Sequence, residues 1–124
     1  MLLRVDPTSA APLFAQIAAS IRMDAAAGRL RPGERLPAAR DVATALGVNL
    51  HTVLHAYQDL RDEGLIEMRR GRGAVLTETV THLTTLHGDI VALAAKGRAL
   101  GLPAETLAAL LTDAVRTEET PHAR

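Results

Sequence analysis

The chain has no cysteine, which removes disulfides, thiol catalysis and cysteine-based zinc fingers. It is nearly bare of aromatics: Phe14 and Tyr57 are the whole supply. Binders of single-stranded nucleic acid stack bases on aromatic side chains, so this scarcity leaves double-stranded DNA as the better nucleic-acid target. Net charge is lacking too, with Lys+Arg 14 against Asp+Glu 14. Residues 1 to 78 carry ten basic and nine acidic side chains, and residues 79 to 124 carry four and five. Any anion-binding surface must therefore be local, and non-specific affinity modest. No apolar run approaches the ~20 residues of a membrane span, and Met-Leu-Leu-Arg-Val-Asp does not open a signal peptide. These features predict a cytoplasmic protein with no membrane partner. No Ser-His-Asp order, carboxylate pair in a pocket-like context or phosphate loop emerges, so neither catalysis nor a cofactor is expected.

What is present centres on Asp41 to Gly73. Gly47 follows a helical pattern and can supply the positive φ that stops it, and Asn49 can cap a second helix. So short a turn makes the helices cross steeply, as in a helix-turn-helix. In the second helix Val53, Ala56, Tyr57 and Leu60 recur at i, i+3, i+4 and i+7, an apolar stripe for a core. His51, His55, Gln58 and Asp62 recur at i, i+4, i+7 and i+11 on another face. With Thr52 they set donors and acceptors along a cylinder that fits a major groove. Every surface helix has a polar side, so the face alone is weak evidence. The next segment strengthens it. Leu65 to Met68 and Ala74 to Thr77 read as two short strands, with Arg69, Arg70, Gly71, Arg72 and Gly73 at the tip between them. Three arginines there make a local positive potential, and the glycines let the backbone approach phosphate or a minor-groove floor.

Upstream, residues 1 to 11 read as an extended arm with Leu3 and Val5 on one face and a break at Asp6-Pro7. A helix is expected from Pro12 to Ala27, striped by Leu13, Phe14, Ile17 and Ile21 and stopped by Gly28. Arg29 to Pro37 reads as a turn around Pro32-Gly33. The helix after it, about Ala38 to Leu46, buries Val42, Ala43 and Leu46.

The ordered motifs Pro12-Leu13-Phe14-Ala15-Gln16-Ile17, Gly28 to Pro37, Ala39-Arg40-Asp41-Val42-Ala43, Leu46-Gly47-Val48, Glu63-Gly64-Leu65-Ile66 and Arg70 to Gly73 resemble the DNA-binding domain of GntR-family bacterial transcription regulators. The likeness runs over residues 12 to 76 without a gap. Asn49, the segment Ala56 to Leu60 and the short tail look more like the YtrA subfamily. The resemblance implies a dimeric, usually repressing regulator of a palindromic operator. It implies DNA contacts at Arg40, at His51, Thr52 and His55, and at Arg70 and Gly71 of the wing. Ala38-Ala39 replace the family's usual Ser-Glu or Ser-Val, Leu50 and Leu54 stand where the wider family has arginines, and His51 and His55 stand where YtrA-like members tend to have Asn and Lys. The operator sequence cannot be carried over.

Past the wing, Leu83, Leu86, Ile90, Leu93, Gly97 and Leu100 are spaced 3, 4, 3, 4, 3 in a helix expected from Thr79 to Leu100 and ended by Gly101. A second helix from Pro103 carries Leu107, Leu110, Leu111, Ala114 and Val115 on one stripe. Two striped helices with no sheet to cover predict a helical pair that pairs with its mate in a homodimer. Thr117 to Arg124 shows no pattern and is expected to fray. The resulting expectation is a mainly α fold with a small β-hairpin wing: a winged helix-turn-helix over 1–78 and a two-helix dimerisation segment over 79–124. The DNA-contacting residues would be Arg40, Asn49, His51, Thr52, His55, Arg69, Arg70, Gly71, Arg72 and Gly73, and the dimer contacts Leu83, Leu86, Ile90, Leu93, Leu107, Leu110 and Leu111. The competing reading is a winged-helix protein-interaction module. His51 and His55 could also present two imidazoles to a metal, with His82 and His87 as distant candidates, but tetrahedral zinc needs a fuller ligand set and DNA readout is preferred. A tail of about 45 residues is too short to enclose a sizeable pocket, which leaves a dimer cleft for a small-molecule effector of unknown identity.

Overall fold

The computed structural model describes residues 3–119. Their elements follow as α1 (Leu13–Ala26), α2 (Ala39–Leu46), α3 (Leu50–Asp62), β1 (Ile66–Arg69), β2 (Gly73–Leu76), α4 (Thr79–Ala99) and α5 (Ala104–Glu119). The fold is mainly α with one antiparallel hairpin, a winged helix-turn-helix followed by two further helices. The turn between α2 and α3 forms as its residues dictate. Gly47 takes φ 68°, and the amides of Gly47 and Val48 close on the carbonyls of Thr44 and Ala43. Asn49 then accepts a 2.7 Å hydrogen bond from the His51 amide and caps α3.

The hairpin pairs Ile66 with Leu76 and Arg69 with Gly73. Each strand is displaced by one residue from the expected Leu65 to Met68 and Ala74 to Thr77. Leu65 is engaged in ending α3: its amide reaches the Leu60 carbonyl while the Gly64 amide reaches Arg61. Gly73, at φ 76°, can pair with Arg69 and begins β2.

A third segment lies along β2. Gly33 N donates to Leu76 O, Leu76 N to Glu34 O and Leu36 N to Ala74 O, each at 2.8 Å, around a bridge between Arg35 and Val75. The sequence predicts only a turn here. Pro32 and Pro37 lack amide hydrogens, which keeps the pairing to a single bridge and hides it from pattern reading.

Under the hairpin, Ile17, Ile21, Val53, Leu60, Ile66, Leu76 and Val80 are almost fully buried in one cluster. Leu3 and Val5 alternate onto it from the arm. Gln16 holds that arm, accepting from the Asp6 amide at 2.6 Å and donating to the carbonyls of Asp6 and Ala11. Arg22 and Glu63 tie α1 to the end of α3 with a 2.6 Å ion pair about two-fifths exposed, so its contribution is at most about 1 kcal/mol. Val42 and Ala43 are buried as expected, whereas Leu46 is only half-buried.

Tyr57 joins α3 to the chain entering α2 by donating its hydroxyl to Pro37 O at 2.6 Å. Burial of the phenol pushes its pKa up to about 12. The unfolded phenol ionises near its ordinary value of 10, so between pH 10 and 12 the unfolded chain has lost a proton that the folded chain retains. Stability should therefore fall across that window, and Tyr57→Phe should flatten the fall. Since Tyr57 is the single tyrosine, phenolate absorbance reads its titration directly. A midpoint near 10 in the folded protein would contradict this.

The chain divides into a unit ending at His87 and one beginning at Gly88. Within the first unit, Val80 is buried, Thr84 Oγ1 donates to Ala25 O at 3.2 Å, and Leu83 packs on the core. Within the second, Gly97 is buried beneath Leu107, and a Cβ at Gly97 would meet Leu107 Cδ1 at 2.5 Å. Helix α5 continues through Glu119, past the Thr117 at which fraying is expected. Thr117 Oγ1 bonds the Asp113 carbonyl at 2.8 Å, so its hydroxyl joins the helical pattern that its sequence context does not advertise. Residues 120–124 of the expected frayed end lie outside the described residues.

Candidate nucleic-acid interface

The apolar stripe of α3 fills the core: Val53, Ala56, Tyr57 and Leu60 are all buried. This leaves His51, His55, Gln58 and Asp62 exposed along the opposite side, as their spacing predicts. Their partners differ. The His51 imidazole has no hydrogen bond among the described residues, so it is available to a ligand, and Thr52 beside it is half-buried. Gln58 lies 3.5 Å from Asp62, a marginal contact.

His55 is held. Its ring stacks on Phe14 of α1 with centroids 3.7 Å apart and 10° between planes, and Nε2 lies 3.6 Å from Asp59. The sequence shows neither contact, because Phe14 is 41 positions away and belongs to a stripe that reads as core. Among the described residues no three His, Cys, Asp or Glu side chains converge on a metal position. Asn49 spends its side-chain oxygen on the cap of α3.

On α2, Arg40 is exposed and its guanidinium has no partner among the described residues. The N-cap residue of α2, Ala38, offers no side-chain cap, leaving first-turn amides open to an anion.

At the wing tip Arg72 N closes a turn on Arg69 O at 3.0 Å, with Gly71 at φ 79°. The three arginines are not equivalent. Arg69 is paired with Glu67, two positions earlier on the same face of β1. Arg72 reaches back to Gly33 O at 3.2 Å. Arg70 alone of the three has no partner among the described residues, and it stands exposed. The positive potential at the tip therefore rests on Arg70 and Arg72, with Arg69 largely offset.

Between α3 and the wing runs an open groove lined by Arg35, Leu36, Pro37, Ala38, Ala39, Asp41, Leu54, Tyr57, Met68, Arg72, Gly73 and Ala74. Arg35 and Leu54 carry no role in the sequence reading. Leu54 gives a signal, an apolar residue off the core stripe, whereas Arg35 is placed by the unforeseen bridge to Val75.

Of the residues read as dimer contacts, Leu86, Ile90, Leu93, Leu110 and Leu111 are 45 to 57% exposed. Leu83 instead packs on the core of the first unit, and Leu107 lies over Gly97.

A family model described as "Bacterial regulatory proteins, gntR family" matches residues 13–76. The HTH-type transcriptional repressor YtrA of Bacillus subtilis is 38% identical over 77 residues, which are 62% of this chain and 59% of that protein. The match thus spans less than two-thirds of that relative's length. The solved structure of YtrA from Sulfolobus acidocaldarius, a GntR-family transcription factor, superposes with a TM-score of 0.61 at 37% identity, covering 76% of this chain and 99% of that one. The structure of AraR(DBD) in complex with operator ORX1 superposes with a TM-score of 0.54 at 27% identity, covering 60% and 93%. The helix-turn-helix, the wing and the family match coincide on the same residues, and the chain belongs to the GntR family of bacterial regulatory proteins.

Proposed function

We propose that the chain is a sequence-specific double-stranded DNA-binding transcription regulator, a cytoplasmic repressor that acts as a homodimer on a palindromic operator. The observation that carries this reading is the outward face of α3 between two elements whose guanidiniums, Arg40 on α2 and Arg70 on the wing, have no partner among the described residues. In this arrangement α3 enters the major groove with His51 and Thr52 leading, where base edges carry a distinct donor and acceptor pattern. Arg40, Arg70 and Arg72 contact the backbone, and Gly71 and Gly73 bring the wing against the flanking minor groove. His55, stacked on Phe14, contacts DNA from a fixed position. The exposed leucines and Ile90 of α4 and α5 supply the two-fold contact, with Leu83 and Leu107 serving inside the protomer. Relatives named as transcriptional repressors and the AraR complex with its operator support the reading.

The test is binding of the full chain to operator-length and random duplexes across a salt series. Arg70→Ala should weaken both duplexes alike and lower the slope of log K against log salt by about one unit, the signature of one lost phosphate contact. Arg69→Ala, whose charge already faces Glu67, should lower it less. Equal affinity for operator and random duplex at every salt concentration would favour a protein-interaction module instead.

A further inference from the structure

Leu54 is the one large apolar side chain exposed on α3, at 43%. The core beneath it is complete without it, since Val53, Ala56 and Leu60 are fully buried and Tyr57 nearly so. It sits one helical turn from His51 on one side and from Gln58 on the other, within the face that presents hydrogen-bonding groups. Its side chain lines the groove toward the wing, with Met68 57% exposed on the facing strand and the small Ala38 and Ala39 also on its walls. The same groove carries Arg35 and Arg72, against the single acid Asp41. An apolar side chain amid polar groups, in a groove with excess positive charge, suits an occupant that is itself a polyanion bearing apolar points. Duplex DNA is such an occupant: its major groove offers one apolar group on the base edges, the C5-methyl of thymine.

We propose that Leu54 is a specificity-determining residue that packs against a thymine methyl group in each half-site. This rests on the DNA-reading function above and adds to it a requirement for thymine, which His51 and Thr52 alone do not impose. Hydrogen bonds from α3 select among donors and acceptors; Leu54 selects the methyl. Covering one methyl-sized apolar group is worth about a fourfold change in affinity.

The experiment selects bound sequences from a random duplex library with the full chain, then replaces each thymine of the selected sequence in turn by uracil, which pairs alike and lacks only the methyl. With the wild-type chain, one position per half-site should lose about three- to fivefold in affinity. With Leu54→Ala the thymine duplex should bind as weakly as the uracil duplex, and uracil at that position should cost nothing further. Leu54→Met, which keeps an apolar side chain of similar size, should retain the uracil sensitivity, and unchanged circular dichroism in both variants shows that the helix persists. Uracil duplexes that all bind like the thymine parent, or a uracil penalty that survives in Leu54→Ala, would overturn the proposal while leaving operator binding intact. A library that yields no preferred sequence would overturn the operator reading and this proposal with it.

Discussion

Leu60→Ala is expected to destabilise the first unit by about 2 to 5 kcal/mol, read as a lowered denaturant midpoint with little change in slope. Leu60 is fully buried on α3, and its carbonyl accepts the Leu65 amide that closes the helix before the wing. Its side chain belongs to the cluster that seats α3 on α1 and β1, so removing it leaves a cavity where α3 is anchored. The domain is small, and a loss of this size is a large part of the 5 to 15 kcal/mol typical of native proteins. DNA affinity should fall in proportion to the unfolded fraction and return when stabilising osmolyte is added, because no contacting group has been removed. A variant as stable as wild type would show that α3 is held elsewhere, for instance by the Tyr57 hydroxyl and the Arg22–Glu63 pair.

Local chemistry made the helix-turn-helix legible. Gly47 could only stop a helix, Asn49 could cap one, and the i, i+3, i+4, i+7 stripe of α3 had to face inward; all three appear in the structure as their residues require. The electrostatics were less legible because they depend on pairing. Three arginines in four positions look alike in a string, but the period-two geometry of a strand puts Glu67 beside Arg69, and the fold brings Gly33 under Arg72. The stack of His55 on Phe14 joins residues 41 apart and has no local signature. The segment bridged to β2 at Arg35 was hidden by its flanking prolines. Leu83 shows the limit of a heptad argument. It fits the 3, 4, 3, 4 spacing, yet the early turns of α4 have a core available to them, and the nearest apolar surface takes the side chain.

The later residues of that spacing carry the other large expected effect. Ile90 is 52% exposed and Leu93 45%, and α5 adds Leu110, Leu111 and Val115 at more than half exposed. So many large apolar side chains left open within the second unit form the kind of surface that marks an interaction site. A charge placed within such a contact is left unpaired in apolar surroundings, which costs several kcal/mol unless the contact opens. Ile90→Glu should therefore split the proposed homodimer. The first unit should stay folded, because its core runs from Ile17 to Val80 and none of it depends on Ile90. Each monomer then keeps one α3 and one wing, and loses the effective concentration that the joined second head provides; linkage of this kind raises affinity by about 10² to 10⁴. The variant should sediment as a monomer, retain its helical circular dichroism, and bind a full palindrome no more tightly than a single half-site. Dimeric sedimentation, or wild-type affinity for the palindrome, would place the two-fold contact away from α4. A monomer that still prefers its half-site over random duplex would locate sequence reading in α3 and the wing, and the spacing of half-sites in the helices that follow.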